Sequence, residues 1–152
     1  MRRFRLVEEL EYSEKKGSAY ISFGLDNPED RTLTKWNASI FGPDGSAFEN
    51  RFYQLSVECG QGYPNQPPTI KFLDKVNLPC VGPHGEIQFN KLAATKTWNK
   101  ETRIHNILEA IRNEMVANRK LPQPAEGRLP SSYRIQILIK FEWYLDVLGS
   151  DW

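Results

Sequence analysis

Cys80 and His84 stand four residues apart in the stretch NLPCVGPHGEIQF, residues 77–89. A cysteine attacks as its thiolate, and a neighbouring histidine is a common source of the base or positive field that makes one. The pair therefore poses a choice between a nucleophile and a quiet buried thiol, the usual fate of a lone cysteine. Spacing alone fixes no geometry, because His84 lies in a loop flanked by Gly and Pro. Cys59 ends a strand-like run, and packing is its expected role. The two cysteines form no CxxC pair and no framework of bridges, so no zinc site is indicated and no metal or other cofactor is expected. His105 lies beside an apolar helical stripe, where a partly buried histidine is the ordinary reading.

The 152 residues fit one domain, with 39% hydrophobic and 26% charged residues, enough for a core without staples. A net charge of +1 leaves no basic footprint for nucleic acid. No apolar run approaches the roughly 18 residues of a membrane span. The start, MRRFRLVEELEY, is basic, but Glu8 and Glu9 break its apolar run at once, unlike a signal peptide. Two unpaired cysteines fit a reducing compartment, so nucleus and cytoplasm are the expected locations.

The elements that must position any site follow from periodicity. Residues 3–12 predict a short amphipathic helix with Leu6, Val7 and Leu10 on one stripe. Phe4 falls off that stripe, and is either a frayed aromatic that tucks in or an exposed anchor for a partner. Residues 19–24, 32–41 and 51–57 alternate as strands. Ile21, Phe23, Trp36, Ala38, Ile40, Tyr53, Leu55 and Val57 point one way. Tyr20, Ser22, Asn37, Ser39, Phe52, Gln54 and Ser56 point the other. A short run, 69–72, makes a fourth strand, and short links favour an antiparallel meander. Residues 100–117 carry Ile104, Ile107, Leu108, Ile111 and Met115 at helical spacing, a covering helix for the inward face. The outward face is uncharged, small and polar with one exposed aromatic. It is either a solvated sheet surface or a docking platform.

GYPNQPPTIKF, residues 62–72, resembles the Tyr-Pro-x-x-Pro-Pro-x-x-x-Phe signature of ubiquitin-conjugating enzymes. With FGPDGSAFENRFYQL before it and Trp98 and the covering helix after it, the resemblance runs over roughly residues 3–127. It implies an α+β ubiquitin-conjugating fold: N-terminal helix, four-stranded antiparallel meander, covering helix and an atypical C-terminal extension. The family carries a His-Pro-Asn box, here Leu78, Pro79 and Cys80, and a Gly-x-Ile-Cys box, here Gly85, Glu86, Ile87 and Gln88. Gln88 thus stands where the nucleophile belongs, and an amide cannot form a thioester. Cys80 stands in the supporting position. The chain accordingly resembles a ubiquitin-conjugating enzyme variant. RRFRLVEELE, LTKWNASIFGP, ENRFYQLSVECG, NLPCV and KLPQPAEG are similar to the kind that serves as cofactor to an active conjugating enzyme. The alternative is the sorting-complex kind, which reads Pro-rich peptides and ubiquitin, and a third reading is an active enzyme using Cys80.

The resemblance implies a non-enzymatic cofactor that forms a heterodimer with an active ubiquitin-conjugating enzyme and holds an acceptor ubiquitin noncovalently. It would aim one acceptor lysine at the partner's thioester, building non-degradative signalling chains of the kind used in DNA damage tolerance. The family's acceptor contacts fall on Ser22, Ser39 and Phe52, all on the outward sheet face. Phe52 is larger than the family's usual aliphatic residue there, and Ser39 replaces Thr or Met. The family's aromatic anchor for the partner enzyme falls on Phe4. Arg3, Leu6 and the loop from Gly42 and Pro43 to Asn50 are expected to complete that interface.

Domain boundaries are expected at 1–130, with residues 131–152 as an extension. In that extension every odd position from Tyr133 to Val147 is apolar, as in a strand. Ile137, Phe141, Tyr144, Leu145 and Leu148 equally mark a helical stripe, and a helix is the weakly favoured reading.

Overall fold

The computed structural model describes residues 2–15 and 19–129. The extension at 131–152, and the expectations placed on it, lie outside them.

The chain opens with α1, Arg2–Lys15, followed by strands β1, Ile21–Leu25, β2, Lys35–Phe41, β3, Phe52–Glu58 and β4, Thr69–Phe72. These form one sheet in the order β1-β2-β3-β4, each pair antiparallel. Two single 3₁₀ turns, Phe89–Lys91 and Ala93–Thr95, lead to α2, Ile104–Ala117. The meander expected from short links is thus the observed topology. Alternation succeeded because the sheet is buried on one face only, which gives β2, β3 and β4 a period of two. Trp36, Ala38, Ile40, Tyr53, Leu55 and Val57 are all buried.

Helix α2 closes that face with Ile104, Ile107, Leu108, Ile111 and Met115, every one fully buried. It begins four residues later than the pattern suggested, because the Arg103 amide donates to Asn106 Oδ1 at 3.0 Å and fixes the first turn there. Asn118 ends it, with its amide and side chain both donating to the Glu114 carbonyl.

Helix α1 departs from the sequence expectation. Leu6 is buried and Leu10 packs on the core, but Val7 is exposed, and Glu9 takes its place inside. The buried carboxylate lies 3.6 Å from Arg5 and 3.9 Å from Arg103, and accepts a bond from Tyr63 at 3.4 Å. These partners come from α1 itself, the start of α2 and the Tyr-Pro turn. Glu9 therefore ties three segments together, and a polar residue claims the stripe position that periodicity gave to Val7. Burial still wins over both arginines and holds the Glu9 carboxyl above its ordinary pKa.

Residues 121–129 form a strap along the edge after β4. Gln123 exchanges bonds with the Asn77 backbone at 2.8 and 2.9 Å, Lys75 N–H donates to Gly127, and Leu129 N–H donates to Leu73. The LPQPAEG segment thus does more than stop α2. It satisfies backbone groups along 73–77 that the sheet leaves open.

Candidate functional site

The loop holding Cys80 and His84 is a set of tight turns. Gly82 N–H donates to Glu86 and Gly85 N–H to Gly82, while Ile87 N–H donates to Ile70 and docks the return segment on β4. Gly85 has φ +83, and a Cβ there would collide with the Phe72 carbonyl, so glycine is required. Cys80 is fully buried, while His84 is exposed on the turn. Burial, with the Glu114 charge as a lesser cause, pushes the Cys80 thiol up to about 11. At neutral pH a thiol of that acidity is ionised in roughly one molecule in ten thousand. Burial likewise pushes Cys59 to about 12. Gln88 is half-buried, and its backbone N–H donates to the Cys80 carbonyl at 2.7 Å. Both positions thus belong to one hydrogen-bonded loop that holds its cysteine neutral and inside. His105 is an ordinary partly buried histidine, 2.7 Å from Glu109 and packed on Tyr12. Among the described residues no cluster of ligands could hold a metal, and no helix is long and apolar enough to cross a membrane.

The outward sheet face gathers Ser22, Ser39 and Phe52 into one patch. Ser22 and Ser39 are register partners, Ser39 faces Gln54, and Phe52 lies diagonal to Ser39 on the same side. Phe52 is 54% exposed. Sequence reading passed over Phe41, which faces Phe52 across the strands with ring centroids 6.4 Å apart. Its alternation with Asn37 and Ser39 was the available signal. Tyr20 extends the row, its carbonyl accepting from Phe41 N–H and its ring lying 4.3 Å from the Arg112 guanidinium. An aromatic row and a small polar row therefore lie side by side, open to solvent.

At the other candidate surface, Phe4 is 69% exposed. Its helix is held by the two residues before it. Arg2 donates to the carbonyls of Gly60, Thr32 and Cys59, and Arg3 to that of Arg31. Phe4 is thereby presented from a fixed backbone. Leu6 corrects the expectation made of it: it is fully buried, because it is the residue that seats α1 on the core, and its side chain offers a partner nothing. Gly42 and Pro43 are also buried. A Cβ on Gly42 would strike the Phe48 carbonyl, so these two shape the loop from within. Its exposed surface comes from Asp44, Gly45, Glu49 and Asn50. Asn50 adopts φ +62, a left-handed conformation that asparagine tolerates better than most residues.

A family model described as ubiquitin-conjugating enzyme matches residues 5–140. The ubiquitin-conjugating enzyme variant MMS2 of Saccharomyces cerevisiae is 46% identical over 130 residues, which cover 83% of this chain and 94% of that protein. The chain belongs to the ubiquitin-conjugating enzyme variants. Ubiquitin-conjugating enzyme spm2 of Schizosaccharomyces pombe shares 43% identity over the same share of each. Ubiquitin-conjugating enzyme E2 variant 1B of Arabidopsis thaliana shares 38%, over 83% of this variant and 82% of its own length. The structure of human ubiquitin-conjugating enzyme E2 G1 superposes with a TM-score of 0.68 at 22% identity, covering 75% of this variant and 93% of that chain. That likeness establishes the shared fold of helix, meander and covering helix.

Proposed function

We propose that this variant is the noncatalytic half of a ubiquitin-conjugating heterodimer. It binds an active conjugating enzyme through Phe4, Arg3 and the loop ending at Asn50. On its outward sheet face, at Ser22, Ser39 and Phe52, it holds an acceptor ubiquitin and aims one lysine at the partner's thioester. Proximity and orientation of this kind can carry a large share of a barrier without any covalent step. The resulting chains are of a single linkage and serve signalling, in damage tolerance, in nucleus and cytoplasm. The observation that carries the reading is the loop at 77–89. Its cysteine is buried and held protonated, and an amide stands at the position aligned with the nucleophile. A conjugating fold whose cysteine is held protonated is suited to act through binding.

The test separates the two surfaces. Ser22→Arg and Phe52→Asp are expected to bind the partner enzyme normally in a pull-down and to stop free-chain synthesis. Normal chain synthesis by either variant contradicts the assigned face.

A further inference from the structure

Where the acceptor face meets the strap there is a cavity of about 330 Å³. Phe52 and Asn50 form one wall, and Tyr53, Asp74, Lys75 and the 126–128 segment form the rest. It therefore joins the sheet face to the loop expected to meet the partner enzyme. The hydroxyl of Tyr53 is fully buried and donates its proton to no acceptor among the described residues, although a buried hydroxyl normally finds one. Arg51 is its polar neighbour, and the charges of Glu126 and Asp74 act on it without either carboxylate accepting its proton. An arginine can only donate, so the phenolic proton lacks an acceptor. Burial keeps that proton on, raising the Tyr53 pKa.

The two carboxylates at this site are unequally engaged. Asp74 accepts from Gln54 N–H at 2.7 Å and pairs with Arg128 at 3.4 Å. Among the described residues Glu126 has a single long ion-pair contact, with Arg51 at 3.8 Å, and its side chain is 69% exposed. Lys75 has no ion pair among the described residues. The cavity thus offers a phenol and an ammonium as donors beside the Arg51 guanidinium, which also donates to the Pro124 carbonyl at 2.6 Å, with Asp74 already engaged and Glu126 loosely held.

We propose that this cavity is a subsite for the acceptor ubiquitin, taking an aspartate or glutamate side chain of the ubiquitin docked on the adjoining face. The incoming carboxylate displaces Glu126 from Arg51, accepts from the Tyr53 hydroxyl and meets Lys75 at the rim. A second fixed point beside Phe52 stops the acceptor from rotating on the sheet and so determines which of its lysines reaches the partner. The inference rests on the acceptor face assigned above.

The test is a titration of ubiquitin into the full chain bound to its partner enzyme, read by NMR. Tyr53→Phe and Lys75→Glu are expected to weaken ubiquitin binding about three- to tenfold, and Glu126→Ala to tighten it. Partner binding is expected to stay unchanged. Tyr53→Phe removes only a hydroxyl whose proton has no acceptor, so its Tm should equal or exceed that of the unaltered chain. A scan of ubiquitin carboxylates to amides is expected to find one whose loss is non-additive with Tyr53→Phe. If Phe52→Asp abolishes ubiquitin binding while the cavity variants bind as before, the subsite is wrong and the acceptor face survives. If Phe52→Asp also binds normally, the face itself is wrong and the subsite falls with it.

Discussion

Phe4 shows how one side chain can be assigned a role by what it does not do. It packs on nothing in the core, yet Arg2 and Arg3 anchor the backbone beneath it to two loops. A large aromatic held in the open on a fixed helix is suited to a partner's pocket, and truncating such an anchor commonly costs about 2 kcal/mol or more. Phe4→Ala is therefore expected to weaken the heterodimer about thirtyfold or more, with no change in Tm. Calorimetry of the two purified proteins measures the first and a thermal melt the second. Unaltered affinity removes Phe4 from the interface. Cys80 makes the opposite case, a reactive residue type without reactivity. Cys80→Ala is expected to leave chain synthesis with the partner intact, and a loss of chains in a variant that still melts cooperatively would restore it as a participant. The exposure of Phe4 was legible as one of two readings of its place off the stripe, and the burial of Cys80 as the usual fate of a lone cysteine. Leu6 was legible as core, and its added role at the interface gave way because a side chain that seats the helix cannot also face outward.

Among the elements, strands and helices differed in how well they could be read. β2 and β3 followed alternation because their inner face is apolar throughout, while their outer face is polar apart from Phe41 and Phe52. α1 broke its pattern at a single turn, where Glu9 is buried and Val7 exposed. No periodicity can announce that, since the partners Arg103 and Tyr63 arrive from distant parts of the chain. The strap at 121–129 was equally illegible, because its bonds to 73–77 depend on a backbone edge and carry no side-chain period. Glu9 gives the element a measurable signature. Its native pKa is raised above the unfolded value of 4.5, so folding takes up a proton there. The contribution is full below pH 4.5 and is lost as pH rises through the native value. Glu9→Gln is expected to flatten that stretch of a plot of urea midpoint against pH. An unchanged slope contradicts the linkage. On α2, Ile107 is fully buried at the centre of the covering stripe, and Ile107→Ala is expected to cost about 2–5 kcal/mol by denaturant unfolding. Its effect on chain synthesis should be confined to temperatures near the lowered Tm. A loss well below that temperature would give α2 a direct part in function.

For the whole molecule, two exposed surfaces stand on one sheet-and-helix frame, and in the proposed function they set the geometry of a reaction whose bond-making group lies on the partner. The anchor at Phe4 and the patch at Ser22, Ser39 and Phe52 rise from different elements, and the shared core fixes their separation. On the proposed function, that separation would decide which acceptor lysine reaches the partner's thioester, making linkage a property of the fold. The central claim is that this chain supplies position and no covalent chemistry. The most direct measurement mixes activating enzyme, ATP, ubiquitin and the partner conjugating enzyme, with and without this chain, and resolves the products with and without reductant. The account predicts free ubiquitin chains only when both proteins are present, with the reducible ubiquitin adduct on the partner alone. A reducible ubiquitin adduct on this chain would contradict it and make Cys80 the nucleophile.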